Sequence, residues 1–292
     1  MWMNFLQKFD KFGCRYKGLP TSAVMYADDL VLLAPSLSEL QTMINVCYAE
    51  LRLLDININS KKSNVTRIGS KFKTKCVDLY VGQDKLEWVT EVKYLGIYIM
   101  SGLKFKVNFD KTKAKFYRAA NGILSKICAK NNIAVTLKLL STMALPILTY
   151  AIEALGLNKS ELISLDHPWL RMFQKVFQTF DNNVVRTCQL YTGYLPMSHY
   201  YSMQSMSFLR KLSQSPSLLV RHICETSIND DVSRIANSFK CDSKCFMLSF
   251  QSIIRKDFEV SLYCVKLVLT PSDSMPYINF VYMTVISLCI LN

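Results

Sequence analysis

The sequence predicts an α+β fold at the front of the chain and a mainly α-helical region behind it. Three observations predict this. Two short apolar runs flank Ala27-Asp28-Asp29, as in a β-hairpin with a charged tip. An amphipathic helical repeat comes directly after them. From Ser101 onward the chain becomes lysine-rich and helical in pattern.

Ala23-Val24-Met25-Tyr26 and Leu30-Val31-Leu32-Leu33 have strand length and composition, and Pro35 closes the second strand. Ser36 and Glu39 then form an S-x-x-E capping box. Leu40, Ile44, Cys47, Leu51 and Leu54 recur at intervals of four and three, which places them on one helical face. That face is expected to pack on the hairpin's sheet. Residues 59–70, with Lys61, Lys62 and Arg67, read as an exposed loop leading into short strands. Strand character resumes over residues 86–100, where Gly96 suggests a bulge or a close backbone approach.

A domain boundary is expected near residue 101, dividing the chain into 1–100, 101–270 and 271–292. Residues 110–130 read as a basic helix, and 135–155 as an apolar helix bent at Pro146. Residues 159–268 read as mainly helical, with breaks at Pro168, Gly193, Pro196 and Pro216. Residues 277–291 form a nearly unbroken apolar run, shorter than the roughly 18 residues of a spanning helix. The run fits a short tail anchor, a buried terminal helix or translated sequence beyond the reading frame, the last two being favoured.

Half the residues are hydrophobic and a fifth are charged, so the chain is globular and not disordered. The net charge of +13 favours an anionic partner, either nucleic acid or an acidic membrane face. No charged segment leading into an apolar run opens the chain, so it is expected to be intracellular, with its ten cysteines as free, mostly buried thiols. His222, Cys224, Cys241 and Cys245 match no zinc-finger spacing, and buried thiols are the expectation there. There is no nucleophile elbow, glycine-rich phosphate loop or internal repeat.

The chemistry concentrates at Asp28 and Asp29. Taken alone, Asp-Asp is an ordinary turn dipeptide. Adjacent like charges on a rigid apolar hairpin make sense if a divalent cation sits above them. Two such ions clamp the attacking and leaving oxygens of a phosphoryl transfer.

Tyr26-Ala27-Asp28-Asp29 with Leu30-Val31-Leu32-Leu33 after it resembles the Tyr-Ala-Asp-Asp box of reverse transcriptases, in the form used by non-LTR (LINE-type) retrotransposons. Leu54-Asp55-Ile56-Asn57-Ile58-Asn59-Ser60-Lys61-Lys62-Ser63 resembles the family's next block, an asparagine then a Lys-Ser pair after a helix, and Lys93-Tyr94-Leu95-Gly96-Ile97 resembles the hairpin that closes the palm. The order and spacing of three blocks is far more specific than any one of them. The clear match covers about residues 14–130. It would make residues 1–100 part of a palm and residues 101–270 a thumb-like region. The resemblance implies that Asp28 and Asp29 ligate Mg²⁺ and that Lys62 lies near the leaving pyrophosphate. It also implies that Tyr26, Tyr94, Leu95 and Gly96 support the nucleotide and primer. The partners would be an RNA template and a DNA primer, and the location nuclear.

The basic, aromatic stretch with Lys104, Lys106, Lys111, Lys113, Lys115 and Arg118 sits where the family's thumb begins. It fits a phosphate-tracking surface or a solvated lysine face over a core of Phe105, Phe109 and Phe116. Reverse transcriptases also need a third carboxylate from an earlier palm strand. Only Asp10 precedes Asp28, in a setting unlike that strand. The resemblance therefore implies a palm-and-thumb fragment inactive by itself. The alternatives are a non-catalytic nucleic-acid-binding protein derived from a retroelement and a membrane-associated helical protein.

Overall fold

The computed structural model describes residues 2–127, 132–223 and 281–290, with four single positions between 233 and 239. The fold is α+β. The chain divides into two compact units, Met1–Asn108 with Ser272–Asn292, and Phe109–Pro271.

In the first unit, β1 (Ala23–Tyr26) and β2 (Asp29–Ala34) form the hairpin, paired from Ala23↔Leu32 to Tyr26↔Asp29. Helix α1 (Leu37–Arg52) comes next, and Ser36 Oγ accepts from the Glu39 N–H at 3.3 Å. The reciprocal half of the expected capping box is replaced. The Glu39 carboxylate accepts from the Gly13 N–H at 3.1 Å. Gly13 has φ +76°, and a Cβ there would lie 2.5 Å from the Leu33 carbonyl oxygen. Only glycine brings its backbone that close to β2. Leu54 lies beyond the helix and is half-buried. The buried stripe is Leu40, Met43, Ile44, Cys47 and Leu51.

Strands β3 (Ile56–Ile58), β4 (Asn64–Ile68) and β5 (Glu87–Trp88) come next. Residues 59–63 form the expected loop, with Lys61 and Lys62 exposed, but the strand that follows already begins at Asn64 and takes in Arg67. Val65, Thr66 and Arg67 are buried in β4, and the Arg67 guanidinium donates to the Lys71 carbonyl and to Cys76 Sγ. Local polarity hid a strand whose arginine is satisfied inside the fold. Strands β6 (Glu91–Tyr94), β7 (Ile97–Met100) and β8 (Lys106–Val107) make a second, antiparallel sheet. Gly96 is no bulge. With Leu95 it forms the two-residue turn between β6 and β7, at φ +85° and +43°.

Within the apolar run 277–291, the described residues form a strand and not the expected helix. Residues 281–290 form β9 (Val281–Ile290), the middle strand of the main sheet, whose order is β1-β2-β9-β4-β5. β9 runs antiparallel to β2, to β4 and, through its last three residues, to β3. Val281, Thr284, Val285, Ile286 and Ile290 are β-branched, which suits a pleated strand better than a helix.

Strand β2 is buried on both faces, so its apolar residues run unbroken where a half-buried strand would alternate. Leu30, Leu32 and Ala34 join the α1 stripe in one core. Val31 joins Val92 and Ile99 of the second sheet in another.

The second unit opens with α2 (Asp110–Lys126). Phe116 and Ala120 are buried on it, whereas Phe105 lies outside any helix, 56% exposed. The expected apolar helix is divided into α3 (Ile133–Leu139), a π-helical turn Leu140–Ala144 and α4 (Leu145–Thr149). The widened turn directly precedes Pro146, which has no N–H and whose ring would clash with a carbonyl four residues back. The helical stretch Ile133–Ala154 is long and apolar enough to cross a membrane by length and composition. Leu137, Leu140, Ala144, Leu148 and Ile152 on it are buried within the unit.

Helices α5 (Lys159–Phe177), α6 (Asn182–Tyr191), α7 (Met197–Ser213) and α8 (Leu218–Ile223) follow. Gly193 and Pro196 do separate α6 from α7, and Pro216 separates α7 from α8. Pro168 does not end a helix. It sits buried inside α5 beside Trp169. A proline there costs about 3 kcal/mol in an isolated helix, and packing around Trp169 outweighs it. Lys130, Cys224, Cys241 and Cys245, and most of the helical pattern expected beyond residue 223, lie outside the described residues.

Candidate active site

The tip of the β1–β2 hairpin is the two-residue turn Ala27-Asp28. Asp28 is exposed at the apex. Asp29 opens β2 and is half-buried, and Tyr26 beside the tip is 65% exposed. Asp29 thus stands on a strand packed on both faces, which fixes its position as metal geometry demands, and Asp28 adjoins it in the turn.

Ala27 has φ +52°. A residue with a Cβ in this left-handed region costs roughly 1–2 kcal/mol. Glycine would relieve that strain but adds about 0.5–1 kcal/mol of unfolded-state entropy. Ala27→Gly is therefore expected to stabilise the protein by about 0.5–1 kcal/mol. The shift in urea midpoint at constant slope measures it, and a destabilised variant would show that the turn is not strained.

Two other sequence blocks reach the same end of the sheet. β2 and β4 both run antiparallel to β9, with Val31 and Asn64 each opposite Val285. Residues 59–63 leave the ladder between Ile58↔Leu288 and Asn64↔Val285, opposite Ile286 and Ser287. Those two residues face Leu30 and Asp29 on the other side. The Lys62 turn is therefore level with Asp29, two strand spacings away, or about 10 Å. Lys62 is exposed, and its N–H bonds to the Asn59 carbonyl at 3.1 Å and side chain at 3.2 Å.

Tyr94, at the end of β6, packs against the core that holds Val31. Burial pushes the Tyr94 phenol above its usual value, and the negative charge of Asp29 pushes it further. Tyr94 is thus within electrostatic reach of Asp29 and keeps its proton at neutral pH as a hydrogen-bond donor. Leu95 and Gly96 are exposed in the adjoining turn.

Asp10, the one earlier acid, lies in a 3-10 turn. Its carbonyl accepts from Arg15 at 2.5 Å. The chain from there reaches β2 at its other end, where the Cys14 N–H bonds to the Leu33 carbonyl. The strand beside Asp29 is β9, and the residue directly opposite is Ser287, with Tyr26 opposite on the β1 side. No sequence signal pointed to Ser287, because nothing local shows which distant strand will pair with a hairpin. Among the described residues no group of three or more His, Cys, Asp or Glu could hold a metal ion. Asp28 and Asp29 nonetheless suit a Mg²⁺ ion, which takes one or two carboxylates and completes its shell with phosphates and water.

The basic residues fall in separate places. Lys104 and Lys106 are exposed in the first unit, at and just before β8. Lys111, Lys115 and Arg118 recur at four and three residues along α2, and all three are exposed. Lys113 is half-buried and faces inward, with Nζ donating to Ser164 Oγ at 2.5 Å and pairing with Asp110 at 3.5 Å.

No curated protein and no solved structure matches the chain. Residues 3–99 match the family model described as reverse transcriptase (RNA-dependent DNA polymerase), which takes in every candidate residue from Tyr26 to Gly96 and stops short of Lys104.

Proposed function

We propose that the first unit is the carboxylate-bearing part of a retrotransposon reverse-transcriptase palm of the LINE type. In the intact parent, RNA-templated DNA synthesis would proceed by attack of a primer 3′-hydroxyl on a nucleotide's α-phosphorus. This chain keeps part of that site and does not extend a primer by itself. The observation that carries the reading is that Asp29 and the Lys62 turn stand level at one end of the sheet, with Asp28 at its apex.

Asp28 and Asp29 would hold Mg²⁺, which supplies charge stabilisation to the attacking and leaving oxygens. Lys62 would stabilise negative charge on the departing pyrophosphate. Tyr94 and the Leu95-Gly96 turn would support the primer end. The neighbours of Asp29 argue for weak Mg²⁺ affinity. Tyr26 and Ser287 stand opposite it, and neither is a carboxylate.

The test is primer extension on an RNA template with Mg²⁺. No product is expected. Product that disappears in Asp28→Ala would defeat the claim of inactivity while supporting the family.

A second reading, nucleic-acid binding without catalysis, is favoured by the exposed Lys111, Lys115 and Arg118 on one face of α2. Binding to single-stranded RNA should weaken with salt by about 0.7 log units per log unit of salt for each phosphate neutralised. Changing all three residues to alanine should reduce that slope by about 2. Asp28→Asn should leave binding unchanged. Salt-independent binding, or none, would remove this reading.

A further inference from the structure

The main sheet is built from two stretches of chain that do not pair with each other. β1 and β2 form one piece, and β4 with β5 the other. β9 lies between them, and every residue from Val281 to Ile290 has a strand partner on at least one side. The chain leaves this unit at Asn108 and returns at Ser272, and the intervening residues fold as a unit of their own. A hairpin strand is held to its neighbour by a two-residue turn. β9 has no such tether to β2 or β4.

Val281–Ile290 also has the composition of a strand that will pair with any open ladder. It contains no charged residue, proline or glycine, and half its residues are β-branched. We propose that the slot between β2 and β4 is a strand-binding site, that Val281–Ile290 fills it as a separable strand, and that a second copy of the chain supplies the same segment in trans. The result is a strand-exchanged dimer. Exchange remakes each pairing with identical residues, so its main cost is the entropy of association, which high protein concentration offsets. The proposal stands whether or not Asp28 holds a cation. Its consequence for the candidate site is that the occupant of the slot decides which residue faces Asp29.

The register supplies the test. Asn57 on β3 is directly opposite Cys289. Cross-strand partners lie about 4.5–5.5 Å apart at Cα, within the range a disulfide spans. In the full-length Asn57→Cys variant, refolded dilute and oxidised, mass spectrometry of the digested monomer should find the new thiol joined to Cys289. A second chain carrying Asn57→Cys with Cys289→Ser can make that link only to another molecule. Refolded at high concentration with isotopically labelled wild-type chain, it should yield a dimer joined between position 57 of one copy and Cys289 of the other. A link in the monomer without one in the mixture would overturn exchange. No link in either would overturn the placement of the segment in the slot.

Discussion

Replacing Trp169 with alanine should lower the stability of the helical unit by about 3–5 kcal/mol. Trp169 is fully buried on α5. Its ring meets Phe173 edge-on at 5.0 Å and Tyr194 at 6.1 Å, and Nε1 donates to the Leu195 carbonyl at 3.1 Å. Alanine removes the filler of this aromatic cluster and leaves that carbonyl without its donor. Trp169→Phe keeps most of the ring and loses only the donor, so about 1–3 kcal/mol is expected. Chemical denaturation monitored by circular dichroism separates the two. Equal losses in both variants would mean that the hydrogen bond, and not the packing, holds α5 to the segment before α7.

Alkaline pH should have an effect of similar size on the first unit, through Cys47. Its thiol lies in the α1 core, and burial pushes its pKa from 9.0 up to about 12. The unfolded chain releases this proton near pH 9, while the folded protein holds it to about pH 12. The folded state therefore binds more protons in that window, and stability falls as pH rises through it. The slope approaches 1.4 kcal/mol per pH unit and the full loss is about 4 kcal/mol. Burial also raises Cys14 and Tyr94, which tilt the curve the same way. Urea midpoints between pH 8 and the alkaline limit test this. Cys47→Ala should be less stable at pH 8 but lose less on going to high pH. An unchanged slope in that variant would assign the effect to other groups.

Much of the front of the molecule was legible because its signals are local. The paired apolar runs around Ala27-Asp28 and Ser36 before a period of three and four each act within a few residues. The hidden features depend on distant partners. Glu39 reads as half of a capping box, yet its carboxylate goes to Gly13, 26 residues earlier. Arg67 reads as a solvated loop residue because its carbonyl and thiol acceptors cannot be seen from its neighbours. Lys113 shares a pattern with Lys111 and Lys115 but turns inward to Ser164. At the candidate site the same division holds. Asp28, Asp29, Lys62 and Tyr94 announced themselves by motif, whereas Ser287 came from a run that helix and strand periodicities describe equally well.

The position of β9 also bears on how the protein is made. A growing chain presents β2 about 250 residues before its sheet partner is synthesised. At about 5–20 residues per second, that gap lasts roughly 12–50 s. Throughout it, one side of β2 has no ladder partner and its apolar side chains lack part of their cover. The front unit therefore closes last although it is translated first.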